Sequence, residues 1–438
     1  MLKKYKELLS QIDPIKYTGR VSRITGLAVE SIGPAAQIGD VCRIVAEGSM
    51  TTISAEVVGF KDEKVLLMPF SDLSGVGLGS VVESTNRPLT VPVGMGMRGR
   101  ILDGLANPMD NKGPIQAESY YPVNNLPVNP LKRSRICQPL SFGIRAIDGM
   151  LTCGRGQRLG IFAGSGVGKS TLLGMIARNT HADVNVVVLV GERGREVRDF
   201  IERDLQEEGL ARSVVVVATS EQPALVRLKS AMIGTAIAEY FRDQGLHVML
   251  LMDSLTRFAM AQREIGLALG EPPVARGYTP SVLALLPKLL ERAGTSDTGS
   301  ITGLYTVLVD GDDMNEPITD IARGILDGHI ILSRNLANRG HYPAIDVLAS
   351  ISRVMPEIIS KEHMAISNDI RNALAMYRET EDLIHIGAYR KGSDPRIDRA
   401  VSLIQPINGF LQQKTDELSS FDETIEEMNR IVRQCEAE

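Results

Sequence analysis

The chain has 438 residues, enough for two or three domains, with 43% apolar residues, 4% aromatics and no tryptophan. Its core must therefore be built mostly from Val, Ile, Leu and Ala. Charged residues make up 23% and the net charge is −5, which excludes the strong basic footprint of a nucleic-acid-binding protein.

Residues 1–17 read as a short amphipathic helix, with Leu2, Tyr5, Leu8, Leu9 and Ile12 on one face and Pro14 ending it. Two readings stay open: the helix packs on the next domain, or it docks a partner protein. Residues 18–92 alternate short β-rich runs, such as Asp40–Val45 and Lys64–Met68, with turns rich in Gly, Pro, Asp and Ser. Six or so strands at that spacing predict a small barrel or sandwich. Residues 93–355 form the next unit. It opens with a Gly- and Pro-rich connection of little periodicity over 93–145, and from about 146 apolar runs alternate with helical stretches. The runs Leu159–Phe162, Val184–Val190, Ser213–Ala218, Val248–Met252 and Ser300–Val309 are continuous rather than alternating, as in parallel strands buried on both faces. The remainder, 356–438, has helical periodicity, and its acidic last stretch from Phe421 reads as a solvated helix face.

Cys42, Cys137, Cys153 and Cys435 are far apart and show no metal-ligand spacing, and the opening residues lack the apolar core of a signal peptide. No apolar run reaches the roughly 18 residues of a membrane span. These features lead us to expect a cytoplasmic protein with reduced thiols.

The most informative segment is Ala163-Gly164-Ser165-Gly166-Val167-Gly168-Lys169-Ser170, set between the apolar run Leu159–Phe162 and a helical stretch from Thr171. Glycines let successive backbone N–H groups turn inward around phosphate oxygens, and the following helix adds its positive end. In this reading Lys169 reaches the β- and γ-phosphates and the Ser170 hydroxyl takes one Mg²⁺ coordination site. Ala163 stands where the strict motif has Gly.

Three further residues complete a hydrolytic set. Asp253 ends the apolar run Val248–Met252, where functional groups of parallel α/β sheets collect, and is the carboxylate partner of Ser170 for Mg²⁺. Glu192 follows Val186–Gly191 at a place where a carboxylate could align a water with the γ-phosphate. By spacing alone, a surface ion pair with Arg193, Arg195 or Arg198 is the better reading of Glu192. Arg353 offers a guanidinium for phosphoryl charge, and by composition alone is an ordinary salt-bridge residue.

Several motifs together resemble one family. They are Gly164–Thr171, Gly191-Glu192-Arg193, Leu251–Arg257, Pro287–Gly294, Gly299–Thr302 and His341–Asp346. The chain, from about Gly19 into the 400s, is similar to the hexameric ATPases of bacterial type III secretion, above all the flagellar protein-export ATPases. These are relatives of the catalytic subunit of rotary ATP synthases. Val309–Ile318 and Ile386–Asp394 resemble the secretion branch rather than the rotary one, with Asp310 where Glu is more usual.

The resemblance implies an α/β fold: a central RecA-like P-loop domain with a parallel sheet, a small N-terminal β-barrel before it and a helical domain after it. It implies Mg²⁺-dependent ATP hydrolysis at subunit boundaries. Gly164, Ser165, Gly166, Val167, Gly168, Lys169, Ser170 and Thr171 would hold phosphates, and Ser170 and Asp253 the metal. Glu192 would activate water, and Arg353 would reach the adjoining subunit's nucleotide. Tyr342 matches a position against adenine, although a core tyrosine beside Pro343 is the competing reading, and Arg193 matches one near the subunit boundary. Implied partners are five further copies (with a monomer in the inhibited state), a regulatory or stator protein on the N-terminal helix, a stalk-like protein in the ring, membrane export-gate proteins, and export chaperones with their substrates. The implied place is the cytoplasmic face of the inner membrane, and no nucleic-acid partner is implied.

Four rivals meet the same residues. A rotary F- or V-type subunit is disfavoured by the two secretion-type segments. An RNA translocase needs a basic or aromatic platform, and residues 18–92 hold only Phe60 and Phe70 as aromatics. An injectisome ATPase shares every motif quoted, and a catalytically silent paralogue conflicts with intact Lys169, Glu192, Asp253 and Arg353. The loop Gly270-Glu271-Pro272-Pro273 reads equally as a channel lining or a surface turn.

Overall fold

Six strands close on themselves near the start of the computed structural model, which describes residues 18–45, 52–309, 311 and 313–434. The expected helix over 1–17, Asp310 and Cys435 lie outside the described residues. The strands are β1 (Thr18–Thr25), β2 (Ala28–Ile32), β3 (Asp40–Val45), β4 (Thr52–Lys61), β5 (Lys64–Pro69) and β6 (Val81–Pro88). They run β1-β2-β5-β4-β3-β6, and β6 returns to pair with β1. Alternate residues point inward, so Val21, Cys42, Ile44, Ala55, Val57, Leu67 and Val82 fill the centre. Of the two architectures open to the sequence, closure into a barrel is the one adopted; it leaves no free strand edge.

The central domain is a sheet of β7 (Arg100–Asp103), β8 (Arg158–Ala163), β9 (Val184–Glu192), β10 (Ser213–Thr219), β11 (His247–Asp253), β12 (Ser300–Leu308), β13 (Gly328–Leu332) and β14 (Ile351–Ser352). The spatial order is β14-β13-β8-β12-β11-β9-β10-β7, with Gly294–Thr295 added against β12. Neighbours from β13 to β7 are parallel, and β14 runs antiparallel at the edge. Both faces are covered, which explains the unbroken valines of β9. Val184, Val186, Val188 and Val190 pack with helix α2 (Ala224–Asp243), and Val187 and Leu189 join the opposite core with Leu172 and Leu173.

Part of the sequence expectation is corrected here. Residues 93–145 are more than a connection, because β7 is the outer strand of the central sheet beside β10. Only Arg100 and Leu102 of its four residues are buried, and the Arg100 guanidinium is neutralised by Asp110 at 2.7 Å. Such a strand, charged and half-buried, leaves no continuous apolar run to read. The alternating β13 went unseen for a related reason.

Helices α3 (Leu255–Ala268) and α4 (Pro280–Leu290) cover one face of the sheet. The C-terminal helices α5 (Lys361–His385), α6 (Pro395–Leu411) and α7 (Phe421–Gln434) pack on the other, where Ile370, Leu403, Phe410 and Met428 join the core. On α7 the acidic Asp422, Glu423 and Glu426 face solvent while Met428, Ile431 and Val432 are buried. Cys42 and Cys153 are buried, Cys137 is exposed, and all three thiols are free.

A buried ion pair ties the barrel to the central domain: Lys229 Nζ on α2 donates to Glu56 Oε1 on β4 at 2.7 Å, with side chains only 4% and 8% exposed. Removing one partner would strand the other charge. Lys229→Met is therefore expected to lower the unfolding free energy by about 3–5 kcal/mol in urea titrations, and the double variant Glu56→Met/Lys229→Leu should recover most of it. Equal losses in the single and double variants would contradict that account.

Candidate active site

Strand β8 ends at Ala163, and the chain then turns through Gly164–Gly168 into helix α1 (Lys169–Asn179). Gly166 and Gly168 hold φ of +79° and +88°, a left-handed backbone that glycine alone adopts without cost. Between them Val167 is 2% exposed and anchors the loop in the core. The start of α1 has no side-chain cap and no acidic residue in its first turn. Its first N–H groups thus point outward unsatisfied, at the positive end of the helix. The loop is a ready anion cradle.

Three carboxyl ends of the sheet converge on this cradle. Lys169 Nζ lies 2.5 Å from Asp253 Oδ1 and 3.9 Å from Glu192 Oε1. The buried Thr306 hydroxyl donates to the same Asp253 oxygen at 2.7 Å, so both side-chain hydrogen bonds fall on Oδ1. Glu192 is turned inward, 12% exposed at its side chain. The surface ion pair favoured by spacing alone is not what forms: Arg193 pairs with Glu196, Arg195 with Asp199, and Arg198 with Glu202. Burial first, then the nearby Asp253 charge, pushes the Glu192 carboxyl up to about 7.

A cavity of ≈ 480 Å³ is lined by Gly164, Lys169, Ser170, Glu192, Arg193 and Arg257, among others. Arg257, on the first turn of α3, was quoted in a motif but given no role. Its stem lies against Gly191, and its buried Nε has no hydrogen-bond partner. The available signal was its position four residues after Asp253, which brings it onto the helix that leaves the carboxyl end of β11.

A second cavity of ≈ 740 Å³ adjoins the first across Gly168 and Thr171 and is lined by Tyr342, Pro343, Gln412, Gln413 and Thr415. Tyr342 is 46% exposed, so the competing reading of a core tyrosine fails. A Cβ on Gly168 would lie 3.5 Å from its ring atoms, which places the ring directly over the loop. The stretch after α6 is locked beside it: Gln413 N donates to Tyr342 O at 2.9 Å, and Gln413 Nε2 donates to Gly143 O and Glu417 O, both at 2.8 Å. These wall residues escaped the sequence reading because no motif marks them. With Tyr342 as a stacking face, Tyr342→Ala is expected to weaken ATP by about 1–3 kcal/mol, roughly 5- to 150-fold in Kd, while leaving tripolyphosphate binding unchanged. Equal weakening of both in calorimetry would remove the ring from base recognition.

Arg353 lies elsewhere. It follows β14 at the opposite edge, is exposed, and its guanidinium donates to the carbonyls of Leu326 and Arg323 at 3.3 and 3.2 Å. It lines neither cavity of its own chain.

Among the described residues no group of three or more His, Cys, Asp and Glu gathers as a metal cage. The donor set of Ser170 hydroxyl and Asp253 carboxylate instead suits Mg²⁺, which keeps waters and phosphate oxygens in its shell and takes few protein ligands.

The cradle, the strand-end carboxylates and the aromatic wall define a P-loop nucleotide-binding protein. Three family models match the chain in order: the ATP synthase alpha/beta family β-barrel domain over residues 21–86, its nucleotide-binding domain over 143–352, and the type III secretion EscN ATPase C-terminal domain over 359–430. The chain belongs to the ATP synthase alpha/beta family, in its branch of flagellum-specific and type III secretion ATPases. It is 55% identical to the flagellum-specific ATP synthase of Bacillus subtilis, covering 97% of this chain and 98% of that one. It is 51% identical to the type 3 secretion system ATPase of Xanthomonas euvesicatoria, covering 94% of each. The assembled ATPase EscN of enteropathogenic E. coli superposes with a TM-score of 0.89 at 45% identity, over 94% of this chain and 100% of that one. A second EscN structure, in complex with its central stalk EscO, gives 0.88.

Proposed function

We propose that this chain is the ATPase of a flagellar type III export system, hydrolysing Mg²⁺-ATP in pockets completed by neighbouring copies in a homohexameric ring. The observation that carries the shared pocket is the split of the machinery: Lys169, Glu192 and Asp253 meet at one carboxyl-terminal edge, while Arg353 faces outward from the other side of the same sheet. A closed ring brings one such edge against the next.

Within a pocket, the loop amides and Lys169 hold the phosphates, with Arg193 and Arg257 adding charge at the rim. Lys169, now bonded to Asp253, would turn to phosphate oxygens, and Asp253 with Ser170 would be the residues that hold the metal. Mg²⁺, when bound, neutralises charge developing on the β- and γ-phosphate oxygens. Glu192 in its charged form accepts a hydrogen bond from the attacking water and aims it in line with the leaving oxygen. Tyr342 carries the base. Arg353 of the neighbouring copy stabilises the transferring phosphoryl group.

Hydrolysis in this reading serves the release and unfolding of export substrates from their chaperones at a membrane gate. A regulatory protein binds the N-terminal segment and a stalk-like protein enters the ring. Residence at the cytoplasmic face of the inner membrane follows from those contacts; among the described residues no helix is long and apolar enough to cross a membrane. The purified chain should form a ring whose specific activity rises with protein concentration, and a deletion strain should lose filament assembly. Loss of virulence-effector secretion with flagella intact would move the assignment to an injectisome.

A further inference from the structure

Arg353 stands at the end of β14, an edge strand two residues long that pairs with β13 at two positions, Gly328 with Ser352 and His329 with Ile351. A ladder that short fixes little of the chain beyond it. The guanidinium's own bonds, to the carbonyls of Leu326 and Arg323, are long at 3.3 and 3.2 Å. A side chain that acts across a subunit boundary needs a firmer root, because a misplacement of about 1 Å costs on the order of 10²-fold in rate.

Side chains buried behind the strand supply that root. The Ser352 hydroxyl donates to Thr152 O at 2.9 Å and accepts from Gln157 Nε2 at 3.0 Å. The same amide nitrogen also donates to Asp327 O at 3.2 Å, and Gln157 Oε1 accepts from Gly154 N at 2.8 Å. Asp327 O in turn accepts from Arg353 N at 3.0 Å, and the Asp327 carboxylate takes two bonds from the Arg158 guanidinium, both at 3.1 Å. The chain is thus held at two successive residues, Ser352 by its side chain and Arg353 by its backbone N–H. Thr152, Gln157 and Ser352 are buried, and a buried network with its donors and acceptors matched is rigid. Gln157 directly precedes β8, so its side chain passes the end of β13 to reach β14. None of the three residues lines either nucleotide cavity.

We infer that Gln157 and Ser352 are positioning residues for hydrolysis, aiming Arg353 from its own chain at the pocket of the neighbouring copy. They do so within the shared-pocket reading proposed above. The test uses full-length variants at protein concentrations where the wild type is fully assembled: Ser352→Ala, Gln157→Met, Arg353→Ala and the double variant Ser352→Ala/Arg353→Ala. Ser352→Ala and Gln157→Met should each lower kcat about 10- to 100-fold. KM for Mg²⁺-ATP, nucleotide affinity of the monomer and ring mass by light scattering should stay at the wild-type values. The double variant should be no slower than Arg353→Ala, because nothing is left to position. Wild-type kcat in both single variants beside an impaired Arg353→Ala would overturn the role and leave the shared pocket standing. A further loss in the double variant, or a fall in nucleotide affinity or ring mass, would also overturn it, marking the network as one that merely holds the fold. Wild-type kcat in Arg353→Ala would instead sink the shared pocket, and the positioning role with it.

Discussion

Arg353→Ala is expected to lower kcat by about 10³–10⁵-fold, the usual effect of withdrawing an arginine finger, or about 4–7 kcal/mol of transition-state stabilisation. The side chain lines neither nucleotide cavity of its own chain and, among the described residues, donates to the carbonyls of Leu326 and Arg323. Nucleotide affinity of the isolated monomer should consequently stay at the wild-type value. What should vanish is the rise in specific activity with protein concentration, because that rise reports pockets completed by a second copy. A variant that binds ATP normally, assembles, and still gains activity on concentration would refute the shared pocket. Arg353→Lys should rescue little, since an ammonium offers a point charge in place of the planar two-pronged donor.

Glu192→Gln should leave ATP binding and ring formation intact while lowering kcat by about 10²–10⁴-fold, the range for losing a positioned general base. Glutamine keeps the shape of the side chain, so the loss isolates the charge. A pH profile adds an independent readout. The Glu192 carboxyl is pushed up to about 7, mainly by burial; it is neutral below that pH and charged above it. For a base that must be charged, kcat/KM for Mg²⁺-ATP should climb as pH rises through about 7 and then level off, and kcat/KM reports the free enzyme. The residual activity of Glu192→Gln should lack this rise. If the variant keeps full turnover, or if its profile follows the wild type, the water-aligning role belongs to another group.

Glu192 also shows why the linear pattern misjudged a residue that the fold rescued. In sequence it stands among Arg193, Arg195 and Arg198, and a solvated ion pair is the economical reading. In the fold Arg195 and Arg198 lie on the short helix Gly194–Asp199 and Arg193 stands at its N-cap, and each finds an acidic partner within one turn. Glu192 itself ends β9 three strands from β8, with β12 and β11 intervening, and faces Lys169. Neighbours along the chain thus separate, and residues far apart in it meet. Strand β7 is the converse case, a structural element whose charged, half-buried residues carry no periodic signal because its stability comes from Asp110 and from the neighbouring β10.

Local chemistry suffices for what the residues alone determined here. Glycines at left-handed positions, an uncapped helix start, Lys169 and Ser170 dictate a phosphate cradle wherever they occur between a strand and a helix, and unbroken valine runs require a sheet covered on both faces. Tertiary structure decided what depends on distant segments: the convergence of Glu192 and Asp253 on Lys169, the cavity wall built beside the loop by Tyr342 with residues 412–417, and the placement of Arg353 away from its own cradle. Strand order and domain docking set those meetings, and no window of the chain encodes either one by itself.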